Sequence, residues 1–253
     1  MSVDPRAASG FAHVARAYAQ GRPSYPTEAI NHIAGSFQLN EASTVLDLAA
    51  GTGQLSRRFR SRVGHVIAVE PASAMRATIT AELSDVTVVD GTAEAIPLAD
   101  GAVDAVVIGE AFHWFATQAA TAEIARVLRP DGGIALLWNT PTWTDKSTHW
   151  LKYFRRIVAH HKQAAADYPT SEGRWRDELE HTGLFTDLQH AEFAHTQLLE
   201  PADFLALVSS WSWIANLDDH DRQTTLDDVD ALLERERRIE IPYRTDLYLA
   251  RSA

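Results

Sequence analysis

The chain has 253 residues, of which 45% are hydrophobic and 23% charged, ordinary globular usage that fits one well-packed domain and excludes disordered or fibrous architectures. Its net charge of −11 repels a phosphate backbone, so nucleic acid is not an expected partner. The absence of cysteine excludes disulfides, thiolate metal ligands and a cysteine nucleophile.

In chain order, residues 1–6 carry no apolar run behind a basic head and do not read as a signal peptide. From about residue 40, short apolar runs alternate with amphipathic segments, the pattern of a parallel sheet covered on both faces. Strands are predicted over 44–48, 65–70, 86–90, 103–109 and 133–139, each rich in Val, Ile or Leu with little polar alternation. Helices are predicted over 54–62, 73–83 and 118–128, the last with Ile124, Val127 and Leu128 at helical spacing. Arg129-Pro130-Asp131-Gly132-Gly133 ends that helix, since Pro130 cannot continue it and the glycines supply a turn. Beyond Asn139 the alternation breaks. Helices are expected over 145–166 and 175–182, followed by a strand over 185–196. A helical insertion over 201–238 follows, in which Asp218-Asp219-His220-Asp221 reads as a helix start. The closing strand, 239–250, contains Pro242, which suits an edge or a bulge. The longest apolar stretches, Ala105 to Ile108 and Gly132 to Trp138, are strand-length, so no membrane contact and a cytoplasmic location are expected.

The most informative segment is Val45-Leu46-Asp47-Leu48-Ala49-Ala50-Gly51-Thr52-Gly53-Gln54-Leu55, where a buried strand runs into a glycine-bearing turn and then a helix. Gly51 and Gly53 can adopt positive φ and admit close approach of a ligand, while the helix that follows offers free N–H groups. Glu70 ends the second strand, where a carboxylate can accept two hydrogen bonds from ribose hydroxyls. Together they point to a nucleoside in the crevice at the carboxyl ends of the strands. Gly51-Thr52-Gly53-Gln54-Leu55-Ser56 is also close to G-x-G-x-x-G, so an NAD(P)-dependent oxidoreductase is the rival reading; the missing third glycine and the acidic strand position before the loop count against it.

Further segments follow in a fixed order: Tyr18 with Arg22-Pro23-Ser24-Tyr25-Pro26, the loop VLDLAAGTG, VIAVEP, Gly91-Thr92-Ala93-Glu94-Ala95-Ile96-Pro97-Leu98, Ala111-Phe112-His113-Trp114-Phe115 and Leu128-Arg129-Pro130-Asp131-Gly132-Gly133. Over nearly its whole length the chain resembles the class I S-adenosylmethionine-dependent methyltransferases, in particular the small-molecule type 11-like group. The resemblance implies a Rossmann-like doubly wound α/β sheet, mostly parallel with an antiparallel C-terminal strand, and helical cap insertions. It implies one domain over 1–253, with N-terminal lid helices in 1–40, a cofactor core in 41–139 and a helical substrate cap in 140–170 and 200–238. S-adenosyl-L-methionine would be the cofactor and S-adenosyl-L-homocysteine the product.

Carried over by residue, Asp47 and the backbone of Ala49, Gly51, Thr52 and Gly53 would hold the methionine part, and Glu70, followed by Pro71, the ribose. Met75 would pack on the adenine, with Thr92 and Ala93 at its edge, and the backbone of Gly109 and Glu110 would flank the methionine amine. Residues 11–26 would close over the site, Arg22 pairing with the cofactor carboxylate and Tyr18 adding a hydrogen bond. Two positions depart from the family pattern: Ala49 replaces the usual first glycine, and Thr92 stands where an acidic residue commonly binds the adenine amine.

Methyl transfer from a sulfonium is an in-line displacement that needs alignment in a dry pocket rather than an activated serine or a metal. No metal site is expected, because His160 and His161 would point about 100° apart on a helix and no H-E-x-x-H spacing occurs. His113 is the candidate catalytic residue, a general base for a hydroxyl acceptor, with packing or substrate orientation as the alternative role. Trp114, Trp138, Asn139 and Trp211 are expected to line the acceptor pocket, though Trp211 and Trp213 would equally serve to join the insertion to the sheet. The expected reaction is O-methylation of a small molecule by a monomer or homodimer; a non-catalytic S-adenosylmethionine binder is the third reading.

Overall fold

The computed structural model describes residues 21–143, 150–162, 175–186 and 188–253. Seven strands, β1 (Thr44–Leu48), β2 (His65–Val69), β3 (Thr87–Val89), β4 (Val103–Gly109), β5 (Leu128–Pro141), β6 (Gln189–Leu199) and β7 (Ile239–Arg251), form one sheet of order β3-β2-β1-β4-β5-β7-β6. β1 to β5 run parallel and β7 runs antiparallel to both its neighbours, the doubly wound arrangement expected. Strand order reverses between β1 and β4, and a crevice therefore opens where the chain leaves these two strands.

The described helices are α1 (Thr27–Ser36), α2 (Gln54–Phe59), α3 (Ser73–Glu82), α4 (Gln118–Val127), α5 (Leu151–Lys162), α6 (Trp175–Glu180), α7 (Pro201–Ser209), α8 (Ser212–Ala215) and α9 (Asp219–Leu233), with a 3₁₀ turn at Phe112–Trp114. Alternation along β5 feeds two apolar layers. Ile134, Leu136 and Trp138 meet Phe112, Ile124 and Val127 on one face of the sheet. Ala135 and Leu137 meet Ile30, Ile33, Phe59 and Ile79 on the other. A third cluster, built on Trp150, Phe154, Phe204, Val208, Leu233 and Ile241, joins α5, α7 and α9 to the first half of β7. The reading of residues 218–221 as a helix start holds: Asp218 accepts the Asp221 N–H at 2.8 Å and opens α9.

Apart from shifts of one to three residues at other element ends, such as α2 stopping at Phe59, three features differ from the sequence expectation. α4 stops at Val127 and Leu128 is already extended, because Pro130 excludes Arg129 from the helical region; Arg129 to Gly132 form an irregularity inside β5, with Asp131 at φ 66°, rather than a turn before it. β6 starts at Gln189, and Phe185 makes only an isolated bridge to Ser252. Pro242 lies in an inner strand, since β6 forms the edge. Its carbonyl accepts the Thr142 N–H at 2.8 Å just beyond the end of β5, so the missing N–H faces a neighbour whose ladder has already stopped.

Candidate active site

At the crevice the loop after β1 carries three left-handed residues in five: Ala49 at φ 57°, Gly51 at 57° and Gly53 at 81°. Asp47, 2% exposed, fixes the start of α2 by accepting both the backbone N–H (2.8 Å) and the hydroxyl (2.7 Å) of Ser56 on one oxygen. That N–H is therefore used internally and not offered to a ligand. Burial raises the Asp47 carboxyl to about 6, against the opposing hydrogen bonds from Ser56. Glu70 reaches back to the loop: one oxygen accepts the Gly51 N–H and the other the Ala72 N–H, each at 2.9 Å. Its carboxyl is raised as well, first by burial.

In front of the loop lies a cavity of about 330 Å³. Asp47, Ala49, Ala50 and Gly51 form one wall, Gly109, Glu110, Asn139 and Tyr243 a second, and Leu207, Trp211 and Trp213 from the helical additions a third. Residues 22–25 roof it. Gln197 Nε2 donates to the Gly21 carbonyl at 2.9 Å, and Arg22 crosses to the end of α7, donating through Nε to Ser210 Oγ (3.0 Å) and through Nη2 to the Ser210 carbonyl (2.9 Å). Tyr25 packs on Gly109 so closely that a Cβ there would sit 2.2 Å from its hydroxyl. Gly109→Ala is therefore expected to lift the roof, costing about 1–3 kcal/mol of stability in urea unfolding and loosening cofactor binding in the same samples.

Glu110 sits at φ 60°, in the left-handed region. Its N–H donates to the Leu137 carbonyl at 2.8 Å, and its Oε1 accepts the Asn139 N–H at 2.5 Å. Burial raises its carboxyl to about 7 even though the Arg22 charge acts the other way. Asn139 Oδ1 accepts the Thr245 hydroxyl at 2.6 Å, and its Nδ2 is buried with no hydrogen-bond partner.

Among the described residues, the structure brings Arg22, Asp47, Ala49, Gly51, Gly109, Glu110, Asn139 and Trp211 to one cavity. Glu70 stands directly behind its wall through Gly51. Thr52 (1% exposed), Met75 (2%) and Ala93 (5%) are buried elsewhere, and Pro71 and Thr92 do not line the cavity either. Trp138 is turned away: the alternation of β5 that aims Asn139 at the cavity puts Trp138 in the opposite layer, against Trp175 and Tyr248. Trp114 lies beside His113, outside the lining. His113 accepts the Trp138 indole N–H on Nδ1 at 3.2 Å, and burial lowers its ring to about 4. It is thus neutral with its only lone pair engaged. Tyr18 lies outside the described residues. Sequence reasoning missed Tyr25, Leu207 and Tyr243; of these only Tyr25 carried a signal, its place in the Arg-Pro-Ser-Tyr-Pro run. His190, Glu192 and Asp246 also gather, but Asp246 is already bound by His190 Nε2 and Arg244 Nε, each at 3.0 Å.

A family model described as a methyltransferase domain matches residues 46–136. An uncharacterized methyltransferase of Mycobacterium tuberculosis is 36% identical over 223 residues, covering 88% of this chain and 85% of that protein. The chain belongs to the class I S-adenosylmethionine-dependent methyltransferases. An uncharacterized methyltransferase-like protein of Schizosaccharomyces pombe is 30% identical over 224 residues, with 88% and 85% covered. The structure of a putative type II methyltransferase from Anaeromyxobacter dehalogenans superposes with a TM-score of 0.64 at 20% identity, covering 91% of this chain and 97% of that one.

The methyltransferase loop fits the cofactor its family implies. Each Glu70 oxygen takes a single backbone N–H, which leaves lone pairs on both for a pair of ribose hydroxyls. Ala49, where the family has glycine, holds its left-handed conformation with a Cβ, a strain of about 1–2 kcal/mol retained at the cavity wall.

Proposed function

We propose that this methyltransferase uses S-adenosyl-L-methionine to methylate an oxygen of a small molecule. The observation that carries this reading is the cavity in which the cofactor loop meets Glu110, Asn139 and the rings of Trp211, Trp213 and Tyr243. Its size of about 330 Å³ lies in the range of small-molecule sites, and aromatic walls hold such a molecule at low entropic cost. The net charge of −11 disfavours nucleic acid as the acceptor. When bound, the cofactor supplies a methyl group on a positive sulfur, ready for displacement. The protein supplies alignment: Glu70 and Gly51 fix the nucleoside, Arg22 anchors the roof, and the wall from α7 and α8 excludes water.

In this reading His113 is a positioning residue. A base needs an available lone pair, and its Nδ1 is engaged by Trp138. No described helix is long and apolar enough to cross a membrane, and we take the enzyme to act in the cytoplasm as a monomer or homodimer. Calorimetry with S-adenosylhomocysteine and with NADH, followed by transfer of labelled methyl groups to phenols, amines, carboxylates, protein and RNA, tests the proposal. Binding of the sulfur nucleoside alone and labelling of small hydroxyl compounds are expected. Binding of NADH, or labelling confined to macromolecules, would overturn it.

A further inference from the structure

Resting on the methyl-transfer reading above, we propose that Glu110 accepts the proton of the methylated group and Asn139 donates a hydrogen bond to the acceptor, so that the substrate is a neutral phenolic hydroxyl compound. Three observations meet at this point. Glu110 lines the cavity in a left-handed conformation uncommon for a residue with a side chain, locked by Leu137 and by the Asn139 N–H. Such locking places its carboxylate rather than leaving it to solvent.

The second observation is the Asn139 amide. A buried amide N–H left without a partner costs about 1–3 kcal/mol, and Asn139 is one of the residues that line the cavity. Its orientation is set from behind. The Thr245 hydroxyl has one proton, which it donates to Asn139 Oδ1 at 2.6 Å, while His195 Nδ1 stands 3.3 Å away on its other side. With its oxygen engaged by Thr245, the Asn139 amide keeps its NH₂ as the donor without a partner.

The third is charge. Arg22 from the roof and the Asn139 N–H act on Glu110, and the Glu110 charge in turn acts on Tyr243 of β7. Arg22 favours the carboxylate, burial favours the acid, and the balance near 7 leaves a base that is half ionised at neutral pH. Tyr243 is held protonated by burial. A carboxylate acceptor would set a second negative charge beside Glu110, and a phenol sets none. The rings of Trp211, Trp213 and Tyr243 give an aromatic acceptor faces to stack on.

In the step, the phenolic proton passes to the Glu110 carboxylate. The oxygen lone pair forms the new O–CH₃ bond as the carbon–sulfur bond breaks, and that pair stays on sulfur. The products are a methyl ether, a neutral thioether and protonated Glu110, which returns its proton to water when the site opens.

The test uses the full chain with labelled S-adenosylmethionine, a panel of simple phenols, S-adenosylhomocysteine calorimetry, and quenching of tryptophan fluorescence by each phenol in the S-adenosylhomocysteine complex. Glu110→Gln should bind S-adenosylhomocysteine within about threefold of wild type and lose at least about 100-fold in kcat. Glu110→Asp should recover part of that loss. Wild-type kcat/KM should rise with pH through about 7 while the Gln variant's residual rate stays flat, and Asn139→Ala should raise KM for the phenol. Turnover of Glu110→Gln within threefold of wild type would overturn the proposal. So would a tenfold loss of S-adenosylhomocysteine affinity in that variant, methylation of amines or carboxylates alone, or a panel of phenols that neither quench nor react. Failure of the wild-type protein to bind S-adenosylhomocysteine would instead overturn the methyl-transfer reading beneath it.

Discussion

Glu70→Ala is expected to weaken S-adenosylhomocysteine binding by at least about tenfold, close to 1.4 kcal/mol, measured by titration calorimetry. The carboxylate does two jobs from one position. It holds the Gly51 N–H and the Ala72 N–H, and its remaining lone pairs face the sugar in the reading given above. Removing it takes away a charge-assisted contact to the ligand and leaves two backbone donors short of a partner, so the loop loses shape together with affinity. Glu70→Gln should give a smaller effect of the same kind: its amide oxygen keeps one of the two backbone bonds while its NH₂ faces the other N–H, so loop order and affinity both fall less than in the Ala variant. An unchanged dissociation constant in both variants would remove Glu70 from the ribose.

The second large effect is on stability against pH. Asp47 rises on folding from 3.8 to about 6 and Glu110 from 4.5 to about 7, burial being the leading cause for each, and Glu70 shifts in the same direction. Raised carboxyl groups bind protons more tightly in the folded state. Their contribution is fully present below the unfolded values, near 4, and is lost as pH climbs through about 6 for Asp47 and about 7 for Glu110. Each is worth on the order of 3 kcal/mol. Without ligand, urea unfolding should thus show the protein less stable at pH 8 than at pH 5. The Asp47→Asn, Glu110→Gln double variant isolates the effect: its gain on wild type should be larger at pH 8 than at pH 5. Equal differences at both pH values would show that these groups ionise in the fold as they do in the unfolded chain.

The parts legible in the sequence were those fixed by local rules. Segments rich in Val, Ile and Leu marked β1, β2 and β4, since strands covered on both faces have no reason to alternate. The Ala-Gly-Thr-Gly bend and Glu70 were visible as a pair because a short turn and a strand end are separated by one β-α unit whose geometry hardly varies. Boundaries were less legible where two local preferences compete, as at Leu128, where helical spacing continues but the approaching Pro130 has already forced the backbone out.

What the sequence by itself determined, then, is the doubly wound sheet and the crevice side at which the glycine loop and Glu70 meet, both dictated by hydrophobic periodicity and backbone turn chemistry within short windows. Only the tertiary structure decided which residues face the cavity. It set Asn139 toward the cavity and Trp138 away from it, brought Tyr243 from the last strand beside Glu110 from the fourth, and carried Trp211 and Trp213 over both. These placements follow from strand pairing and helix packing between segments 100 residues apart, such as Thr142 and Pro242, and no local pattern encodes which distant surface will close on a given strand end.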